Sequence, residues 1–225
     1  MISLETTPPA LATEPQHPNA RRLRLLAAIA LLLGAVLQLA GLASSHPEVS
    51  PGRVAYLAAS AADPLRTQVS ALLLHYAAVA MGLGLLVAPV LVRGRRGAVL
   101  TLLGSVLATV SLVNLSGAIF VDWVHLQLAL DLPLEQGAAL SDRMYDHPLL
   151  QAGFGLAPLI AVGLVLAVVG LARGRVVGWW TVPAVVVGYA GMLFLPYSTP
   201  VLPALGSLPM LAVLARIAWA ASRHP

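Results

Sequence analysis

The chain of 225 residues contains no cysteine and no lysine. Without cysteine there is no disulfide framework, no thiolate nucleophile and no cysteine-bound zinc or iron–sulfur site. Without lysine there is no Schiff-base chemistry on a lysine amine. Charged residues are also scarce, at 10% of the chain against 59% apolar residues. Because disordered and nucleic-acid-binding chains have the reverse composition, we expect no nucleic acid partner.

Six long apolar runs occupy most of the sequence. Each is close to the ~20 residues that a helix rising ~1.5 Å per residue needs to cross ~30 Å of hydrocarbon. The runs are Leu25–Ala43, Val69–Val92, Ala98–Val121, Leu149–Ala172, Val176–Leu195 and Val201–Ala221. They predict an all-α, polytopic transmembrane helix bundle with six spans, whose surroundings are the lipid bilayer. The bundle is a single domain over residues 21–221, between a disordered tail at 1–20 and a short tail at 222–225.

The arginines predict an orientation, because cytoplasmic loops of membrane proteins are rich in Lys and Arg. If every run crosses once, only Arg53, Arg66 and Arg143 of the thirteen arginines fall on one side. That side also carries all the acidic residues outside the N-terminal tail, in two longer segments, Ser44–Gln68 and Asp122–His147. We therefore predict a multi-pass protein of the bacterial plasma membrane, with both termini cytoplasmic and these two segments outside.

The first apolar run has an alternative interpretation as a cleaved signal peptide, since arginines precede it and small residues follow it. The apolar region of a signal peptide is usually ~7–15 residues, which is shorter than this run. Its length favours a retained first helix.

The links between the runs predict which helices are neighbours. Arg93–Gly97, Arg173–Arg175 and Pro196–Pro200 are short, so the helices that they join are antiparallel neighbours. Each outer segment also predicts a short helix, at Val54–Ala62 and Leu134–Tyr145.

Polar residues inside the runs are few, and most of them lie toward the outer side. Because the second and third spans are antiparallel, the depths of His75, Asn114 and Ser116 are similar, and a hydrogen bond from His75 to Asn114 or Ser116 is expected. Asp122 and His125 follow one turn beyond, at i and i+3 on one helix face. These five residues form the candidate polar site.

Two interpretations of this site remain open. One is a functional site, either a metal held by His75, Asp122 and His125 or a proton relay through them. The other, which we favour, is a hydrogen bond between helices together with ordinary headgroup contacts. We accordingly expect no catalytic residue, no metal and no cofactor. A haem held by two histidines is disfavoured because His125 lies several turns from His75, and His46 is interpreted as a turn residue before a proline.

The stretch Asn114-Leu115-Ser116-Gly117 invites comparison with the serine motif of rhomboid proteases, which also have a six-helix core. Position 114 is Asn where that family has Gly, and the sixth span contains no histidine to act as a base. A serine without a base lacks its activation step, so this activity is rejected.

Taken over residues 20–221, the chain resembles uncharacterised six-helix membrane proteins of actinobacteria, a domain-of-unknown-function family. The resemblance rests on Asp63–Arg66, Ser70–Tyr76, Arg93–Gly97 and Leu112–Gly117. It implies a six-helix fold and a membrane location, and it implies no substrate.

The functional expectation is a non-enzymatic membrane protein, acting as an accessory subunit or a small-ligand binder, with any site in the outer half of the bundle. A membrane-protein partner or a second copy of the chain is compatible with this role. One alternative is a transporter or permease, which is disfavoured because the inner halves of the helices lack polar residues. The other is an enzyme that acts on an outer-leaflet substrate through His75, Asp122 and His125.

Overall fold

The computed structural model describes residues 18–48 and 50–223. Among these residues the chain is helical and contains no β-strand. Most of the predicted tail at 1–20 lies outside the described residues, as do residues 224–225, whereas 18–20 already belong to the first helix. The helices are α1 (Pro18–Ala43), α2 (Arg53–Ala62), α3 (Pro64–Leu85), α4 (Ala98–Ile119), α5 (Val121–Asp131), α6 (Leu134–Tyr145), α7 (Pro148–Phe154), α8 (Ile160–Arg173), α9 (Thr181–Phe194) and α10 (Val201–Arg223).

Five helical stretches in the described part of the chain are long and apolar enough to cross a membrane. They are Asn19–Ala43, Pro64–Leu91, Ala98–Asp131, Leu150–Arg173 and Val201–Arg223. A sixth apolar helix, α9, is shorter. The predicted all-α transmembrane bundle is confirmed, and the chain is a multi-pass membrane protein.

The helix observed in the fifth apolar run is shorter than the predicted helix, Val176–Leu195. Helix α9 has 14 residues and is therefore about 21 Å long, which is less than the ~30 Å of hydrocarbon. Its late start follows from the way α8 ends: Arg175 adopts a φ of 60°, and the Val176 N–H donates to the Leu171 carbonyl at 2.9 Å. This hydrogen bond across a left-handed residue is a Schellman-type helix end. A hydropathy pattern does not indicate where a helix ends in this way.

Six helices form a closed ring in which contacts run from α1 to α3, α4, α8, α9, α10 and back to α1. Neighbours in the ring are antiparallel, as the α4/α8 pair illustrates: a Cβ on Gly170 of α8 would clash with Thr101, and a Cβ on Gly163 would clash with Ala108. The predicted pairings of second with third, fourth with fifth and fifth with sixth spans are all present.

The two ends of the ring differ in charge. One end carries the arginines of the α1 start, the α3–α4 link and the ends of α8 and α10, and we call it the arginine end. At the opposite end, the acidic end, α2, α5 and α6 pack on one another and against α3 and α4. We call these three short helices the cap. Helix α6 has its predicted bounds, and α2 begins one residue earlier than predicted.

Candidate functional site

His75 and Ser116 lie at the contact between α3 and α4, and Asn114, also on α4, is half-buried. His75 Nδ1 donates to the main-chain carbonyl of Ser116 at 3.1 Å, so the predicted interhelical bond forms to the backbone of Ser116. The Ser116 hydroxyl donates to the Val113 carbonyl in its own helix at 2.7 Å. The His75 ring also packs edge-on against Phe120, with ring centroids 4.3 Å apart. The hydroxyl of Ser116 is thus bonded within its own helix, whereas the His75 ring is bonded to the main chain of the same residue.

Asp122 and His125 belong to a separate polar network within the cap. The Tyr56 hydroxyl of α2 donates to Asp122 Oδ1 of α5 at 2.6 Å, and His125 Nδ1 lies 3.9 Å from the same carboxylate oxygen. His125 Nε2 lies 2.8 Å from the Ser141 hydroxyl of α6. One carboxylate and one imidazole therefore connect all three cap helices.

His125 is the most deeply buried member of this network, with only 1% of its surface exposed. Its ring is stacked with Tyr145 at 5.8 Å and meets the edge of Tyr56 at 5.5 Å. The expectation of ordinary headgroup contacts for His125 is therefore wrong, because the cap helices cover the position that hydropathy assigns to the membrane surface. Asp122 keeps about a third of its side chain exposed, at 32%.

His46, which the sequence analysis interprets as a turn residue, has several contacts in the structure. It is buried, with its Nε2 at 3.5 Å from the Ser60 hydroxyl and its Nδ1 at 3.4 Å from the Thr67 hydroxyl. Its ring meets the Tyr56 ring edge-on at 4.9 Å. The candidate site predicted from the sequence also lacked Tyr56 and Ser141. The available signal was that Tyr56 and Ser60 share one face of α2 at a spacing of four residues.

The outer surface of the cap carries a second polar contact. Arg53 Nε lies 3.2 Å from Asp142 Oδ1, and the Arg53 guanidinium lies 4.7 Å above the Tyr145 ring. Exposed ion pairs of this kind contribute ~1 kcal/mol or less. Burial and the neighbouring Asp122 charge raise the pKa of Glu48, which lies beside this contact.

A metal shared by His75, Asp122 and His125 has no support in this geometry. No group of three His, Cys, Asp or Glu side chains that could hold a metal occurs within residues 18–48 and 50–223. The predicted site is thus divided, with His75 and Ser116 at the α3–α4 contact and Asp122 and His125 in the cap network.

We expect Tyr56→Phe to destabilise the cap, because it leaves Asp122 without its shortest hydrogen bond. Hydrogen bonds to charged groups contribute ~1.5–3 kcal/mol, and the partial exposure of Asp122 places the expected loss near ~1–2 kcal/mol. Thermal unfolding in detergent measures this loss. The matched control is Tyr76→Phe, at a tyrosine that is 54% exposed. Equal melting temperatures for the two variants would contradict the role of Tyr56.

His46 should make the protein sensitive to acid. Burial, opposed by the Asp122 charge and reinforced by that of Arg66, lowers the pKa of His46 below 6.5. The unfolded chain then binds a proton at a pH where the folded chain does not, so this contribution to stability is complete above about pH 6.5 and falls as the pH drops below it. We expect His46→Gln to reduce the loss of melting temperature between about pH 7.5 and about pH 5. His147→Gln, at an exposed histidine, should leave that loss unchanged, and the same behaviour in both variants would refute this source of acid sensitivity.

A cavity lies inside the ring, and we call it the ring cavity. Its volume is about 520 Å³, and all of its lining side chains are apolar except Gln38, Tyr189 and Tyr197. Gln38 Nε2 donates to the Met192 sulfur at 3.1 Å, and the Tyr197 hydroxyl donates to the Met192 carbonyl at 3.1 Å. No charged residue lines the cavity. Its polar groups therefore offer neutral hydrogen bonds only.

The ring cavity is closed toward the arginine end. The short helical turn Ala88–Leu91 contacts α4, α8 and α10, and Leu85, Ala88 and Leu91 are each no more than 1% exposed. At the acidic end, the Glu48 N–H donates to the Tyr197 carbonyl at 3.1 Å, which ties the segment after α1 to the rim of the cavity. The cavity thus occupies the middle of the bundle and its acidic-end half.

Together, the ring and its cavity define the class of this chain: a multi-pass helical membrane protein with an internal apolar cavity. No protein-family model, no curated protein and no solved structure matches the chain.

Proposed function

We propose that this chain is a non-enzymatic binding protein of the bacterial plasma membrane, and that it holds a small apolar or amphipathic molecule in the ring cavity. The observation that carries this proposal is the cavity itself: about 520 Å³ of space with an apolar lining and three neutral polar side chains. Small-molecule sites typically have ~300–1,000 Å³ and combine an apolar lining with a few polar groups that orient the ligand.

The side chains around the cavity support binding of this kind. Met81, Met192 and Met210 line it, and methionine adapts its shape to an apolar ligand more readily than branched side chains do. Gln38 and Tyr197 supply hydrogen-bonding groups near the acidic end, so a ligand with one polar group would place that group there.

The two alternative functions receive less support from the geometry. A permease needs a polar path across the bundle, whereas the buried turn Ala88–Leu91 closes the arginine end with apolar side chains. An enzyme that uses His75, Asp122 and His125 together needs them at one site, whereas His75 binds the α4 backbone and His125 binds Ser141.

Native mass spectrometry of the protein extracted in a mild detergent tests the proposal. We expect a fraction of the molecules to carry an extra mass of a few hundred daltons that organic extraction releases, because the cavity has the volume of such a ligand. A single apo mass, unchanged after incubation with a total lipid extract, would contradict ligand binding.

The proposal also includes the orientation, with the arginine end in the cytoplasm and the cap outside. Because the chain lacks cysteine, two conservative substitutions at exposed serines report each end: Ser50→Cys beside the cap and Ser222→Cys at the arginine end. In intact cells from which any outer wall layer has been removed, we expect a membrane-impermeant maleimide to label Ser50→Cys but not Ser222→Cys. Permeabilised cells, in which both should be labelled, provide the control. Labelling of only Ser222→Cys in intact cells would invert the topology.

A further inference from the structure

The contact between α8 and α9 is the least extensive contact between neighbouring helices of the ring. In the α4/α8 and α9/α10 contacts, glycines bring helix backbones together: Gly104 of α4 faces Gly163 and Ala167 of α8, and Gly191 of α9 faces Gly206 of α10. The glycines of α8 that have close neighbours all face α4 or the α3–α4 link, and those of α9 all face α10. The α8/α9 seam is therefore formed by side chains alone.

A second, smaller cavity of about 160 Å³ lies in this seam, and only apolar atoms line it, including those that Tyr189 contributes. Tyr189 and Leu193 of α9 line both this seam cavity and the ring cavity. On its other side the seam cavity reaches Val186 and Phe194, which are 51% and 84% exposed and face the surroundings of the bundle. Two side chains thus separate the ring cavity from the hydrocarbon that surrounds the helices.

The forces that hold this seam closed are weak. Within the described residues, no hydrogen bond or ion pair joins α8 to α9. Inside a bilayer there is no hydrophobic driving force between helices, because lipid chains are as apolar as the side chains that they replace. Inserting a hydrocarbon chain between α8 and α9 would therefore exchange one set of dispersion contacts for another. Helices α8 and α9, with 14 residues each, are also the shortest helices of the ring.

We infer that the α8/α9 seam is the lateral route by which a neutral membrane lipid enters the ring cavity from the bilayer, an inference that rests on the proposed binding function. Tyr189 and Leu193 form the gate. The occupant is a lipid with a hydrocarbon chain, because the seam faces hydrocarbon and presents only apolar atoms to a passing molecule. Its head is uncharged and forms hydrogen bonds, because the ring cavity provides Gln38, Tyr189 and Tyr197 and no charged residue. A charged head would lose its hydration in this cavity without gaining a partner of opposite charge.

A reversible crosslink across the seam tests this route. In the cysteine-free chain, Ala161→Cys on α8 and Ala190→Cys on α9 place two thiols on the walls of the seam cavity. A bifunctional methanethiosulfonate then joins the helices, and dithiothreitol releases them. The protein is reconstituted in vesicles containing isotope-labelled monooleoylglycerol, a neutral lipid with one chain, and exchange of this lipid into the protein is followed by native mass spectrometry.

We expect the crosslink to slow exchange at least tenfold, the reductant to restore the rate, and the final occupancy to remain unchanged. Unchanged exchange in the crosslinked protein would overturn the lateral route while leaving the binding function intact. If neither form, nor the wild type, ever acquires lipid, the binding function itself fails. Labelled oleoyl lysophosphatidylglycerol, which also has one chain, replaces monooleoylglycerol in a second arm, and equal or greater occupancy by this anionic lipid would overturn the neutral class.

A second pair of variants keeps the inference testable if the double-cysteine protein does not fold. Ala190→Trp fills the seam cavity, whereas Val187→Trp places the same side chain on α9 at a position that is 59% exposed. We expect slow exchange only for Ala190→Trp. Equal exchange rates for the two variants would contradict the proposed gate.

Discussion

Gly104→Ala should destabilise the bundle, although glycine to alanine in the middle of a helix normally stabilises. A Cβ at position 104 would clash with the backbone N of Ala167 and lie 2.7 Å from the Gly163 carbonyl oxygen. Backbone atoms cannot rotate away, so α4 and α8 must separate and lose the close packing along their whole contact. Overpacking of this kind costs ~1–3 kcal/mol, which outweighs the ~1 kcal/mol by which alanine exceeds glycine in helix propensity.

Gly117→Ala is the matched control on the same helix. No atom lies within 4 Å of a Cβ added at Gly117, so only the helix-propensity gain of up to ~1 kcal/mol remains. Thermal unfolding in detergent should give a lower melting temperature than wild type for Gly104→Ala and an equal or higher one for Gly117→Ala. Two variants with the same melting temperature would show that α4 and α8 are not in backbone contact.

Leu115→Trp should reduce the ligand content of the purified protein. Leu115 lines the ring cavity from α4, and the larger indole would occupy space that the ligand needs. A steric conflict of ~1–3 kcal/mol corresponds to a loss of affinity of roughly tenfold or more. The measurement is the ligand-bound fraction in native mass spectra, compared at equal protein and detergent concentrations.

The control for this variant is Val113→Trp, two residues earlier on α4, where the side chain is 50% exposed on the outside of the ring. It adds an indole to the same helix without entering the cavity, and we expect it to retain ligand as the wild type does. Ligand loss in Val113→Trp alone, or in neither variant, would show that any bound molecule lies outside the ring cavity.

The sequence predicted the fold well where hydropathy and strong breakers decide the structure. The apolar runs predict the ring helices, and Pro133 and Pro148 delimit α6, whose bounds match. The prediction failed at α9, because the left-handed conformation of Arg175 ends α8 in a way that no hydropathy pattern reveals.

The candidate site was predicted less completely, because its contacts depend on tertiary packing. The depth argument correctly brought His75 beside Ser116. It could not show that α2 and α6 would bury His125 between Tyr56 and Ser141, since those partners come from separate segments of the chain. The ring cavity has no sequence signature at all, because it depends on the distances between six helices. Gln38 and Met192, 154 positions apart, meet only in the folded ring.

The most direct test of the central claim, that the ring cavity holds the ligand, is photolabelling in the membrane. Vesicles that contain the protein are loaded with monooleoylglycerol that has a diazirine in its chain, and they are then irradiated. Peptide mass spectrometry maps the labelled residues. The account predicts adducts on side chains that line the cavity, such as Met81, Met192 and Met210. It also predicts that these adducts are lost in the Leu115→Trp variant. Adducts confined to outward-facing residues such as Leu83 and Phe194, at equal yield in both proteins, would contradict it.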